Sequence, residues 1–194
     1  FAFLALSAVF WSTFRSRVPL FLTNQATARA LLQALPKNRS LHLVDLGCGT
    51  GELLRRLAMS RPDCRFTGVE NAPLPWLIAR LRNRNLPNVT VRRDDLWSLE
   101  LGDYDVIYAF LSPVPMPQLG RKASVEMKPD AMLIANSFEI PGVKADRVID
   151  SDPAARALYV YTFAGRRGKN GRPVREMAPV SAAVPADAPH LIAE

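Results

Sequence analysis

Cysteine is nearly absent from this chain. Cys48 and Cys64 are the only two in 194 residues. Neither has metal-site spacing, and one bridge would add little to a chain this long, so both are read as reduced thiols in a cytosolic-type compartment. Histidine is equally scarce: His42 lies inside an apolar run and His190 near the end. No nucleophile–base constellation and no Cys/His metal cluster can be built from so little. Internal repeats are missing. Acidic residues are outnumbered 18 to 25, for a formal charge of +7 and a pI near 9.9. That balance leaves two readings open: attraction to nucleic acid, anionic lipid or an acidic protein face, or an arginine-rich solvated surface. The apolar run Phe1 to Phe14, broken only by Ser7, Ser12 and Thr13, falls short of the roughly 20 residues that span a bilayer. Arg15 and Arg17 follow it, as basic residues do at a cytoplasmic helix end. The first residue is Phe, not Met, so further native residues are expected ahead of it. The run reads as the tail of a membrane anchor in preference to a helix packed on the domain, because it shows no polar stripe.

What is present is one domain's worth of alternating strands and helices. Residues 1–22 read as apolar segment and linker, 23–178 as the domain, and 179–194 as an Ala/Pro/Val-rich flexible tail. Thr23 or Asn24 caps a helix running to Leu35, with Ala28, Leu31, Leu32 and Leu35 as its stripe. Strands are expected at 41–46, 65–70, 88–92, 104–111, 131–136 and 158–163. Helices are expected from Gly51, from Pro73 with the stripe Leu74, Leu77, Ile78 and Leu81, and from Met116. The basic stretch 165–175 reads as a hairpin loop before a short last strand. Strand–helix alternation implies a mostly parallel sheet covered on both faces.

The chemistry begins at Val44-Asp45-Leu46-Gly47-Cys48-Gly49-Thr50-Gly51, a strand-to-helix loop. Glycines permit positive φ and let a ligand approach the backbone closely. The spacing is G-x-G-x-G, whereas dinucleotide folds use G-x-G-x-x-G around a pyrophosphate. An aspartate two residues before the first glycine suits a cationic ligand better than a phosphate. The loop resembles motif I of class I S-adenosyl-L-methionine-dependent methyltransferases. The resemblance implies a Rossmann-like sheet, mostly parallel with an antiparallel C-terminal strand and helices on both faces. It also implies that Asp45 and the backbone of Gly47, Cys48, Gly49 and Gly51 hold the methionine part of S-adenosyl-L-methionine.

Two further acids follow in order. Glu70, beside Asn71, ends the second strand, where a carboxylate can accept both ribose hydroxyls. Asp95 lies past the third strand in Arg92-Arg93-Asp94-Asp95-Leu96-Trp97. In the class I family this position neighbours the adenine, which implies a contact for Asp95 and Leu96. Asp94 is the alternative; it could instead offset Arg92 and Arg93. Trp97 reads equally as an adenine cover or a core residue.

Further segments are similar to the small membrane-associated protein-lysine methyltransferases that modify the c-ring protein of ATP synthase and the adenine nucleotide translocase. They are Val18-Pro19-Leu20-Phe21-Leu22-Thr23, Gly68-Val69-Glu70-Asn71-Ala72-Pro73, Asp95-Leu96-Trp97, Tyr104-Asp105-Val106-Ile107-Tyr108 and Ser112-Pro113-Val114-Pro115-Met116. Two departures stand out: Leu22 replaces the second proline of that family's opening motif, and Ala72 is an extra residue between Asn71 and Pro73. The resemblance implies that Thr23 lies near the cofactor and that Ser112 to Met116 borders the methyl acceptor.

The expected activity is methyl transfer from S-adenosyl-L-methionine, with a protein lysine as acceptor. The alternatives are a small-molecule or RNA methyltransferase, or a domain that holds the cofactor without turnover. The Asn/Asp-Pro-Pro-aromatic signature of adenine- and glutamine-methylating enzymes is absent after the fourth strand. The 165–175 stretch lacks the aromatics that stack unpaired bases, so nucleic acid is the less favoured partner. No metal is called for, because positioning provides much of the catalysis of methyl transfer. The residue that takes the acceptor's proton is not identified; Tyr108 and Glu139 are weak candidates. The expected location is the cytoplasmic side of a membrane, or the cytoplasm.

Overall fold

The computed structural model describes residues 25–150 and 157–163. The expectations placed on Phe1 to Phe14, Arg15, Arg17, Val18 to Thr23, the 165–175 hairpin, His190 and the tail lie outside the described residues.

The first described helix, α1 (Gln25–Ala34), buries Thr27, Ala28, Ala30 and Leu31. A seven-stranded sheet follows: β1 (His42–Leu46), β2 (Arg65–Val69), β3 (Val89–Arg92), β4 (Val106–Ala109), β5 (Met132–Asn136), β6 (Arg147–Asp150) and β7 (Ala157–Tyr161). Its order is β3-β2-β1-β4-β5-β7-β6. The first five strands run parallel. β7 pairs antiparallel with both β5 and β6, so it alone runs against the rest. The helices α2 (Glu52–Ser60), α3 (Pro73–Asn83) and α4 (Met116–Glu126) form the crossovers. The sheet is the expected Rossmann-like one with a reversed C-terminal strand. β6 is an addition: its Arg-Val-Ile-Asp carries one half-buried residue among exposed ones and offers no apolar alternation to read.

Central strands are buried on both sides, as parallel strands between helix layers must be. Neighbouring residues feed opposite cores. Leu43, Val106 and Ile134 join Leu31, Leu54, Leu57 and Phe66. Val44, Ile107 and Leu133 join Leu119, Met116 and Tyr161 on the other face.

One helix is turned differently from its sequence pattern. The Leu74, Leu77, Ile78, Leu81 stripe of α3 is helical, yet it faces outward: Leu77 is 44%, Ile78 37% and Leu81 52% exposed. The buried face is Pro75, Ala79 and Asn83. Close approach explains the reversal. Gly51, at φ 71°, sits beneath this face, and a Cβ there would lie 2.6 Å from Asn83 Nδ2 and 2.9 Å from Ala79 Cβ. Small residues let α3 settle against the start of α2; leucines in their place would hold it off. Asn83 Nδ2 donates to the carbonyls of Gly51 (3.1 Å) and Ala79 (2.9 Å), fastening the contact.

Candidate active site

Strand order reverses between β1 and β4, and open parallel sheets bind ligands at the carboxyl ends of such strands. A cavity of about 280 Å3 opens at this point, walled by Asp45, Gly47, Cys48, Gly49 and Thr50 from the loop, Glu52 and Leu53 from α2, Arg82 from α3, and Tyr108 and Phe110 from β4 and its end. That is near the lower end, about 300 Å3, for small-molecule sites.

The loop is built by left-handed backbone at Gly47 (φ 74°), Gly49 (φ 54°) and Gly51 (φ 71°). Gly47 and Cys48 both donate their N–H to the carbonyl of Val69 at 2.9 and 3.0 Å, tying the loop to the end of β2. Glu70 braces it from the same side: Oε2 accepts from Gly49 N (3.0 Å) and Oε1 from Ala72 N (2.8 Å). A carboxylate oxygen accepts more than one hydrogen bond, so both oxygens keep capacity for ligand hydroxyls. Arg82 reaches across from α3 and donates to the carbonyl and Oγ1 of Thr50, each at 2.8 Å.

Asp45 is the electrostatic centre. It is 3% exposed. Burial, and then the charge of Glu70, push its carboxyl up from the ordinary aspartate range to about 7. Among the described residues no cation pairs with it. A buried carboxylate facing another carboxylate across a cavity is relieved by a bound cation. An ammonium fits that need. The Cys48 thiol is pushed well up by burial and then by Asp45 and Glu70, so it serves as wall and not as nucleophile.

Beside Asp45 stands Tyr108, its register partner on β4. It is buried, and its hydroxyl accepts from Asn136 Nδ2 at 2.8 Å. Asn136 Oδ1 in turn accepts from Ser137 Oγ at 2.9 Å, and Ser137 holds φ 68°, a left-handed backbone that costs a non-glycine residue energy. Ser112 Oγ, after β4, is buried with no hydrogen-bond partner. Glu139 is exposed and is not part of the cavity wall.

The remaining sequence-predicted positions lie off this cavity. Asn71 is exposed and Leu96 half-buried. Asp95 is exposed, and its Oδ1 accepts from Trp97 N at 3.0 Å. Asp94 takes the balancing role: it accepts from Arg92 Nη2 (2.6 Å), Ser98 Oγ (3.0 Å) and Asp95 N (2.9 Å). Trp97 packs against the core on the α4 side. Thr23 lies outside the described residues. His42 is structural: Nε2 is 2.9 Å from Thr67 Oγ1, its ring tilts against Tyr104 at 4.6 Å, and burial lowers its pKa. The wall positions Thr50, Glu52, Leu53, Arg82 and Phe110 are additions. Arg82 gave no sequence signal, since only the close crossing of α3 over α2 brings it to the loop. Among the described residues no group of His, Cys, Asp or Glu is arranged to hold a metal, and no helix is long and apolar enough to cross a membrane.

Comparison with known proteins agrees with this geometry. The model of the ANTKMT methyltransferase domain matches residues 45–147. The lysine N-methyltransferase of Mus musculus that acts on the ATP synthase c-ring protein is 28% identical over 145 residues, which are 72% of this chain and 56% of that protein. The adenine nucleotide translocase lysine N-methyltransferase of Mus musculus is 31% identical over 136 residues, 64% of this chain and 58% of that protein. The chain thus spans a little over half the length of these curated relatives. An RNA methyltransferase from Salinibacter ruber, solved with S-adenosyl-L-homocysteine, shares the fold with a TM-score of 0.69 and 21% identity, covering 78% of this chain and 99% of that one.

Proposed function

The chain belongs to the ANTKMT methyltransferase domain family, and on that premise we propose that it transfers a methyl group from S-adenosyl-L-methionine to a lysine of a protein. The observation that carries the reading is Asp45, a buried carboxylate without a cation in the wall of a glycine-lined cavity. When bound, the cofactor supplies an electrophilic methyl group on a sulfonium. The chain's residues do the rest. Asp45 pairs with the ammonium of the methionine part. The loop from Gly47 to Gly51 admits that part against its backbone. Glu70, with Asn71 beside it, takes the ribose hydroxyls, and Asp95 with Leu96 borders the adenine. Thr23 approaches from the segment ahead of α1.

Tyr108, oriented by Asn136, presents a hydroxyl at the cavity wall, where it can orient an amine. Orientation of acceptor and donor is the main task, since aligned reactants gain effective molarity without covalent catalysis. The lysine acceptor is supported by the names of both curated relatives. A membrane location is supported by the apolar run Phe1 to Phe14 with Arg15 and Arg17 behind it.

The test is two-part. Calorimetry with S-adenosyl-L-homocysteine should show binding; none in folded protein removes the cofactor assignment. Tritiated S-adenosyl-L-methionine in cell extract should then label a protein band, with mass spectrometry finding methyl-lysine that disappears in a deletion strain. Ribonuclease-sensitive label, or label in small metabolites, overturns the lysine acceptor. Fractionation at low salt checks the location, and a wholly soluble full-length protein would end that part of the proposal.

A further inference from the structure

The outward face of α3 is left over by the fold and by the site. Leu77, Ile78 and Leu81 occupy i, i+1 and i+4 and so form one ridge along the helix. All three are exposed while the helix buries small residues beneath them. Arginines flank the ridge: by helical spacing Arg80 and Arg84 stand on one side and Arg82 on the other. Arg80 lies over the ring of Trp76 at 5.5 Å, and Arg82 is bound to Thr50. The charge is one-sided beyond the helix as well. Residues 71–93 contain five arginines and no aspartate or glutamate. The adjacent Glu52 of α2 is already shared between Arg56 (2.9 Å) and Arg82 (3.7 Å).

We propose that this face of α3 is a docking surface for an anionic lipid bilayer. The ridge is convex and aliphatic, which suits the flat, yielding boundary between headgroups and acyl chains. Nucleic acid offers no seat for three aliphatic side chains. Arginines beside the ridge snorkel to the phosphates while the leucines enter. The same helix lends Arg82 to the cavity wall, so a docked α3 holds the cavity close to the headgroups, where a lysine at the edge of a membrane protein would be met. The surface is independent of methyl transfer, and its test does not depend on that reading.

The full-length protein carrying Leu81→Cys is labelled with an environment-sensitive fluorophore. Both native thiols are buried and pushed up in pKa, so the label goes to the surface position. Val125→Cys, exposed on α4 across the sheet, is the control. Phosphatidylcholine vesicles containing phosphatidylserine should shift the 81 label toward an apolar environment and expose it to lipid-borne quenchers. Pure phosphatidylcholine should do neither, and the 125 label should stay in water. Arg80→Glu with Arg84→Glu should weaken the response about tenfold or more while S-adenosyl-L-homocysteine binding is retained. Four results overturn the proposal: a wet 81 label on protein that nevertheless sediments with vesicles, equal responses at 81 and 125, an 81 label already apolar before vesicles are added, or a response to an acidic protein or to RNA in place of lipid.

Discussion

Asp45 and Asp95 close two ends of one sheet edge, with the same side chain and opposite surroundings. Asp45 ends inside the protein, meets no cation among the described residues, and keeps its proton to about 7. Asp95 stands in solvent with one oxygen on the N–H of Trp97, and its neighbour Asp94 is held below the ordinary range by Ser98, then Asp95 N–H, then Arg92. The difference teaches where binding energy is stored. A desolvated, unpaired carboxylate costs the empty protein stability and returns it when a cation arrives. An exposed carboxylate that already has hydrogen bonds has little left to return.

The sharpest break of that contrast is Asp45→Asn. Affinity for S-adenosyl-L-homocysteine should fall about hundredfold, ~3 kcal/mol, the size of losing one member of a buried charge pair. The ligand-free protein should respond oppositely. The unfolded chain ionises this carboxyl in the ordinary range and the folded chain only near 7. In the window between, the folded state binds the extra proton, so stability falls as pH rises. Asp45→Asn should therefore leave stability near pH 4 unchanged and raise it above pH 7, on the order of 3 kcal/mol, measured by urea denaturation. Equal losses at both pH values would mean that Asp45 already has a partner.

The wild-type protein gives a second view of the same charge. Below pH 7, binding an ammonium should expel a proton from Asp45, so affinity should climb tenfold per pH unit at most and level off near 7. Calorimetry in two buffers of different ionisation heat reads that proton directly. Next in size is Glu70→Ala, about 2 kcal/mol in affinity, because the ribose contact and the brace on Gly49 go together. Asp95→Ala should cost least, about 1 kcal/mol, and Asp94→Ala should change affinity less than twofold. If Asp95→Ala matched Asp45→Asn, the contrast between the two ends would collapse.

Sequence reading reaches the strands and the loop because both rest on local rules. Apolar runs ended by glycine are buried strands, and Asp45 to Gly51 carries its chemistry in seven consecutive residues. It misses what depends on distance. Arg82 meets Thr50 only through the crossing of α3 over α2, and Ser137 adopts a left-handed φ where glycine would be the usual signal. The α3 stripe reads as core because size and hydrophobicity suggest burial, whereas here proximity to Gly51 selects Ala79 and Asn83. β6 escapes because an edge strand with one half-buried residue leaves no periodicity.

The position of β7 governs the order in which a growing chain can assemble. β1 to β5 are complete once residue 136 has emerged, and each pairs with a strand already made. β6 emerges next but has its sheet partner in β7, which comes after it. Through that interval of synthesis the outer side of β5 stays open, with Leu133 to Asn136 presenting backbone groups later taken by Leu158 to Tyr161. A ribosome stalled short of residue 157 would thus display a finished glycine loop beside an open sheet edge, the form most prone to pair with another nascent chain.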